Sequence, residues 1–306
     1  MNKIELLEKL LTNLWGNYKK RVKYANFYAE LVESKGGNVV NDHIAFRSIK
    51  TDIPNQESGI KPFVEIFSAL GYEVKSSYIF KTKKLAAIHL EHNSAQMPKI
   101  FVSELELDKF AHDFQKIIKR NTSSCVAKIN ETARNLLHNL KENDELDQKK
   151  SDQLINHLTN FFQRPWSPPQ RSDVFEANKF SQYAAWVLLH GNSVNHFTAY
   201  INYQNVKEWP DIEATLTELA EQGIPLKNEL EGEKGSILRQ SATEAVIENC
   251  EVHDAEGSII LIPWSYAYYE FAERGFIKSS TGEQELFQGF LGEQATNLFE
   301  MTNAKK

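Results

Sequence analysis

Cysteine is nearly missing from this chain: there are 2 in 306 residues, Cys125 and Cys250. A pair so sparse, without short metal-type spacing, speaks against a disulfide-stapled scaffold and against a cysteine-cluster metal site. An excess of basic charge is missing too. Lys and Arg total 35 against 41 Asp and Glu, a formal charge of -6. That balance offers no electrostatic footprint for nucleic acid or for an anionic membrane. No apolar run approaches the length of a membrane span. The opening stretch MNKIELLEKLLTNLW places Glu5, Glu8 and Lys9 between its leucines. It reads as an amphipathic helix, not as a secretory signal, and a cytoplasmic location is expected.

With 41% hydrophobic and 25% charged residues, the chain has the composition of a globular protein with a sizeable core. Its strongest pattern is a repeat. VVNDHIAFRSI, residues 39–49, is a strand, and PFVEIFSALGYEV after it has helical spacing that ends at Gly71. KLAAIHLEH and KIFVSELEL then read as strands. The second half repeats this order. SVNHFTAYIN is a strand, PDIEATLTELAEQGIPL a helix, and SILRQSATEAVI, CEVHDAEGSIILIPW and YAYYEFAERG are strand segments. Between the repeats, amphipathic helical segments are broken by PWSPPQ and by the polar run KENDELDQKKSD, a solvated helix junction.

The expected fold is therefore α+β: two pseudo-symmetric βαβββ modules forming a curved sheet around a shared cavity, with a helical insert. The expected organisation is one domain, with N-terminal helices over 1–36 and a first module over 37–105. The insert follows over 106–190, then the second module and a C-terminal tail over 191–306.

Two polar residues sit oddly in the first strand. Side chains alternate along a strand, so His43, Ala45 and Arg47 share one face. A single strand histidine is more often a hydrogen-bonded core residue than a ligand, but His196 occupies the equivalent strand of the second repeat. Two imidazoles converging on one cavity suit a mid-row divalent metal, and a carboxylate completes a facial set. Glu270, among Tyr268, Tyr269 and Phe271, is an acid in an apolar strand, where an unpaired charge is costly. Its bland alternative is an ion pair with Arg274 or Arg47. Glu104, its counterpart in the first repeat, is a fourth ligand or a hydrogen-bond acceptor behind a ligand, and the second is favoured. Arg47 either pairs with Asp42 or Glu270, or clamps a substrate carboxylate with its planar fork. Arg239, Gln240 and Ser241 form another polar cluster, at a solvent edge or lining the cavity. His89, His92, His112, His138, His157, His190 and His253 rank lower, as solvated or capping residues.

The motifs NDHIAFR, KLAAIHLEH…PKIFVSEL, AAWVLLHGNSVNHFT and YYEFAERG resemble the DUF1338 family of 2-oxoadipate dioxygenase/decarboxylases. The resemblance spans both repeats and the end of the insert. That family is similar in architecture to the vicinal oxygen chelate group, whose terminal strand carries a metal carboxylate as YYEFAERG would. The resemblance implies iron(II) held by His43, His196 and Glu270, with Arg47 on the substrate carboxylate and Arg239 and Ser241 in the substrate pocket. It implies O2 and a 2-oxo acid as reactants, 2-oxoadipate giving 2-hydroxyglutarate and CO2, and a place in lysine catabolism. Competing readings are a metal-dependent isomerase or lyase with Glu104 as fourth ligand, and a metal-free binding module.

Overall fold

A computed structural model describes residues 1–51, 57–126, 129–279 and 282–291. Helices α1 (Lys3–Arg21) and α2 (Lys23–Ser34) lead into β1 (Asn41–Lys50), α3 (Lys61–Ala69), and the strands β2 (Tyr72–Phe80), β3 (Leu85–His92) and β4 (Lys99–Glu106). Then come α4 (His112–Thr122), α5 (Glu131–Asn143), α6 (Gln148–Phe161), α7 (Arg171–Phe180) and α8 (Gln182–His190). The chain continues through β5 (Val194–Tyr200), α9 (Ile212–Glu221), β6 (Leu238–Ala242), β7 (Ile247–His253), β8 (Ile259–Ser265) and β9 (Glu270–Arg274). The class is α+β, as the repeat pattern leads one to expect. No described helix is long and apolar enough to cross a membrane.

Local chemistry accounts for the helix boundaries. Asn130 and Asp147 cap α5 and α6, accepting from the N–H groups of Ala133 at 3.0 Å and Lys150 at 2.9 Å. Each such cap contributes about 1 kcal/mol by satisfying a donor with no partner inside the helix. Asp144, with φ 60, ends α5 in the left-handed conformation, so the polar run 141–152 holds the junction between these two helices.

The chain divides into two compact units. The first comprises Met1–Asn17, Ala45–Asn195 and Ile247–Trp264. Its strands run in the order β2-β3-β4-β1. Phe46 of β1 packs against Phe63 of α3 at 5.2 Å and against Phe162 at 5.0 Å between ring centroids. The even face of β1 is thus committed to an apolar core, and alternation sends the odd face, with Arg47, to the other side.

The second unit comprises Tyr18–Ile44, His196–Val246 and the described residues from Ser265 onward. Its strand order is β1-β5-β9-β6, β1 contributing its N-terminal residues here. Tyr28 of α2 packs on Tyr269 and Phe271 at 5.2 and 5.5 Å. The strands β5 and β9 are parallel, with Thr198 opposite Glu270. β6 is antiparallel to β9, with Ala242 opposite Glu270 and Gln240 opposite Ala272. The second repeat departs from the first at one place. The β7–β8 hairpin forms a two-stranded sheet of its own and belongs to the first unit, so β6 is the strand beside β9.

Candidate metal centre

Three strands of the second unit supply the site. β1 brings Asp42 and His43, β5 brings His196 and Thr198, and β9 brings Glu270 and Arg274. β1 and β5 are hydrogen-bonded neighbours, and just ahead of β1 the Tyr200 N–H donates to Val40 O at 2.8 Å. The parallel register of β5 and β9 then places Thr198 beside Glu270.

His43, His196 and Glu270 are all buried, and one ligand-type atom from each lies within 4.8 Å of the other two. His43 Nε2 is 3.4 Å from His196 Nε2 and 3.4 Å from Glu270 Oε1. His196 Nε2 is 3.6 Å from Glu270 Oε2. Ligands bound at about 2.0–2.2 Å to a first-row ion sit roughly 2.9–3.6 Å from one another, so this spacing is close to that of a metal set.

Asp42 determines which nitrogen of His43 faces the cluster. Its Oδ2 lies 2.8 Å from His43 Nδ1. A carboxylate there holds the proton on Nδ1 and leaves the Nε2 lone pair toward His196 and Glu270. Arg274 in turn clamps Asp42, with Nε donating to Oδ1 at 2.5 Å and Nη2 to Oδ2 at 2.8 Å. Arg274 Nη1 donates to the carbonyls of Phe287 and Gly289, both at 2.9 Å. Burial pushes the Asp42 carboxyl up. The charge and hydrogen bonds of Arg274, with those of His43, outweigh it and hold Asp42 well below the usual carboxylate range. The acid behind the ligand is therefore ionised.

Glu270 is in the opposite condition. It is 0% exposed. Gln240 Nε2 donates to its Oε1 at 2.8 Å and Thr198 Oγ1 does so at 3.3 Å. Its Oε2 has no hydrogen-bond partner among the described residues. Burial drives its carboxyl well above the usual range, and the charges of Glu231 and Asp42 push the same way. A buried carboxylate with one unsatisfied oxygen is expensive by itself, and a cation beside Oε2 would relieve it. His196 Nε2 lies 3.6 Å from that oxygen, and His43 Nε2 lies 3.4 Å from Oε1 of the same carboxylate. The donor set of two imidazoles and one carboxylate suits iron(II) or a similar divalent ion with further positions open. Aromatic rings wall the ligands. His196 stacks on Tyr268 at 4.9 Å, and Phe290 meets the His43 ring edge-on at 5.0 Å.

The other candidate residues make contacts of their own. Arg47 is buried, its guanidinium carbon 5.1 Å from the Tyr183 ring centroid and 5.3 Å from that of Trp186. Arg239 bonds Glu213 through Nη1 and Nη2 at 2.9 and 2.6 Å and approaches Glu273 at 3.4 Å. Ser241 Oγ donates to Glu229 O at 3.0 Å. In the LRQSA strand it is Gln240, between these two, that faces Glu270; alternation sends its neighbours the other way. Glu104 is not part of the cluster. Its Oε2 accepts the Ile60 N–H at 2.8 Å at the start of α3. Asp42, not Glu104, stands behind a ligand, and Asp42 pairs with Arg274, not Arg47. Thr198 had no role in the sequence reading, and Gln240 entered it only as a member of the Arg239–Ser241 polar cluster. The signal for Thr198 was its position two residues after His196, on the same strand face.

Asp42→Asn and Gln240→Ala should each weaken divalent-metal affinity by about 10–100-fold, the usual effect of removing a group that orients a ligand. Metal titration of the apoprotein, alongside a circular dichroism spectrum that stays unchanged, checks this. Affinities within twofold of wild type would show that neither residue orients its ligand.

The model of the 2-oxoadipate dioxygenase/decarboxylase family matches residues 6–305. This chain belongs to that family. A rice enzyme (Oryza sativa subsp. japonica) named 2-oxoadipate dioxygenase/decarboxylase, chloroplastic/amyloplastic, is 26% identical, covering 96% of this chain and 78% of the rice one. Its Arabidopsis thaliana namesake is 28% identical over 85% of this chain and 67% of its own. A glyoxalase superfamily protein from Ralstonia eutropha JMP134 shares the fold with a TM-score of 0.83 at 24% identity, over 95% of this chain and 87% of that one. Rice hydroxyglutarate synthase, crystallised with 2-oxoadipate, shares it with a TM-score of 0.76 at 24% identity, over 98% and 93%. The dioxygenase/decarboxylase chain described here is thus an oxidoreductase on a glyoxalase-like fold. Both plant relatives are named as chloroplastic.

Proposed function

We propose that this member of the 2-oxoadipate dioxygenase/decarboxylase family converts 2-oxoadipate and O2 to 2-hydroxyglutarate and CO2, with ferrous iron held by His43, His196 and Glu270. The observation that carries the reading is the buried Glu270 Oε2, without a hydrogen-bond partner among the described residues and 3.6 Å from His196 Nε2. Iron bound there would supply adjacent open positions for a chelating 2-oxo acid and for O2. The first carboxylate leaves as CO2. The keto carbon becomes the new carboxylate, taking one oxygen atom of O2, and the neighbouring carbon takes the other as a hydroxyl.

The protein's own residues hold and shield. Asp42 keeps the His43 proton on Nδ1. Gln240 and Thr198 hold Glu270 Oε1, so that Oε2 is the oxygen presented. Tyr268 and Phe290 exclude water from the histidine rings. Arg47, four residues after His43 in β1, would be the partner of a substrate carboxylate. Its fork, planar by delocalisation, lies over the Tyr183 and Trp186 rings, which orient it.

The test is an oxygen electrode with the iron-loaded protein and a panel of 2-oxo acids. With 2-oxoadipate, O2 uptake, CO2 release and 2-hydroxyglutarate should appear in equal amounts, and labelled O2 should leave two heavy atoms in the product. Conversion of a 2-oxo acid without O2 uptake would replace this reading with an isomerase or lyase. No conversion and no metal binding would leave a binding module.

A further inference from the structure

A second group of metal-type side chains lies in the first unit and shares no residue with the His43 cluster. His190, Glu248 and Cys250 each offer one ligand atom, and the three atoms lie within 4.8 Å of one another. The local structure explains the convergence. Glu248 and Cys250 are two residues apart on β7, so they project from the same face of that strand. His190 is the last residue of α8. The helix stops there because Gly191 takes φ +61, and a Cβ at that position would fall 2.4 Å from the Arg164 backbone. Glycine is required, and the turn it makes fixes where the imidazole is carried.

We propose that His190, Glu248 and Cys250 form a second metal site, for a thiophilic divalent cation of the zinc class. Thiolate with imidazole is the donor pair that sets zinc apart from the hard cations, and carboxylate oxygen is also among zinc's ligands. His190 Nδ1 and Glu248 Oε1 are 3.3 Å apart, already the separation of two donors on one tetrahedral ion, about 3.3–3.8 Å at bond lengths near 2.0–2.3 Å. Cys250 Sγ lies within 4.8 Å of both of these atoms. His190 and Cys250 are 3% and 6% exposed, while the Glu248 side chain is 26% exposed. Two ligands are therefore shielded, and the third lies at the surface where an ion can arrive. Three protein donors leave a fourth position for water. The ion would tie the C-terminal end of α8 to β7. This inference does not depend on the proposed reaction, since its residues and its readout are separate from the His43 cluster.

Cobalt(II) substitution tests it, because only a thiolate ligand gives a strong sulfur-to-cobalt charge-transfer band in the near ultraviolet. Metal-stripped wild-type protein titrated with cobalt(II) should bind two equivalents, one of them with the band. Cys250→Ser should abolish the band and leave one equivalent, and His190→Ala should weaken that equivalent by at least tenfold. His43→Ala should keep the band while losing the other equivalent. One equivalent without any band in the wild-type protein would overturn the proposal, whatever the variants do. A band that survives Cys250→Ser would overturn it too, assigning the thiolate to Cys125, the chain's other cysteine.

Discussion

His196→Ala and Glu270→Ala should each reduce kcat/KM for 2-oxoadipate by more than the ~10–100-fold expected for a residue behind a ligand. Each removes one of three protein donors, and the remaining two cannot hold a ferrous ion in a facial arrangement. Iron content and turnover should fall together while the circular dichroism spectrum is kept. Glu270→Gln separates the metal from the fold. The amide keeps an acceptor for Gln240, which now donates to Oε1 at 2.8 Å, and removes a fully buried carboxyl whose ionisation burial opposes. The metal-free variant should therefore melt no lower than metal-free wild type. Saturating iron should stabilise only the wild type, by about 2.7 kcal/mol at a hundred times the dissociation constant. Turnover within tenfold of wild type in His196→Ala would remove His196 from the metal and sink the assignment.

The second large effect is expected at Arg47. Arg47 is 2% exposed and its guanidinium lies over two aromatic rings, an environment in which a fixed positive charge gains most from an anion. Arg47→Ala should cost about 2–5 kcal/mol in transition-state stabilisation for 2-oxoadipate, roughly a 30- to 5,000-fold loss in kcat/KM. Arg47→Lys keeps the charge without the planar fork, so KM should rise while iron content stays at the wild-type level. The decisive comparison is with a monocarboxylic 2-oxo acid of similar length, which has no second carboxylate to clamp. Arg47→Ala should affect that substrate much less. Equal losses on both would move Arg47 to the chelating end of the substrate or to the fold.

The residues that were legible in advance share one property: their meaning is local. His43 and His196 stand at equivalent places in two strands that each follow a Val-Asn opening, and Glu270 is an acid inside YYEF. Alternation and the cost of a buried charge suffice to single them out. The residues around them were read less well because their roles depend on register. In LRQSA, Arg239 and Ser241 drew attention, yet pairing with β9 turns Gln240 toward Glu270. A shift of one residue exchanges the two faces of a strand, and nothing within five residues reports which face is which. Glu104 looked like the mate of Glu270 by position in the repeat. Its carboxylate instead serves the Ile60 N–H at the start of α3.

The amino-acid sequence by itself determined the α+β class, the helix boundaries written by caps such as Asn130 and Asp147, and the three candidate ligands. All of these follow from periodicity, capping chemistry and burial cost within a short window. Only the tertiary structure decided the partners. Asp42 and Arg274 are 232 positions apart, and they meet because β1, β5 and β9 are adjacent strands. His190 and Cys250 looked like a helix-end residue and an isolated thiol until the β7–β8 hairpin was placed with the first unit. A hydrogen bond or an ion pair needs atoms within about 3–4 Å. Strand order and register, which arise from the packing of the whole chain, decide which distant groups come that close.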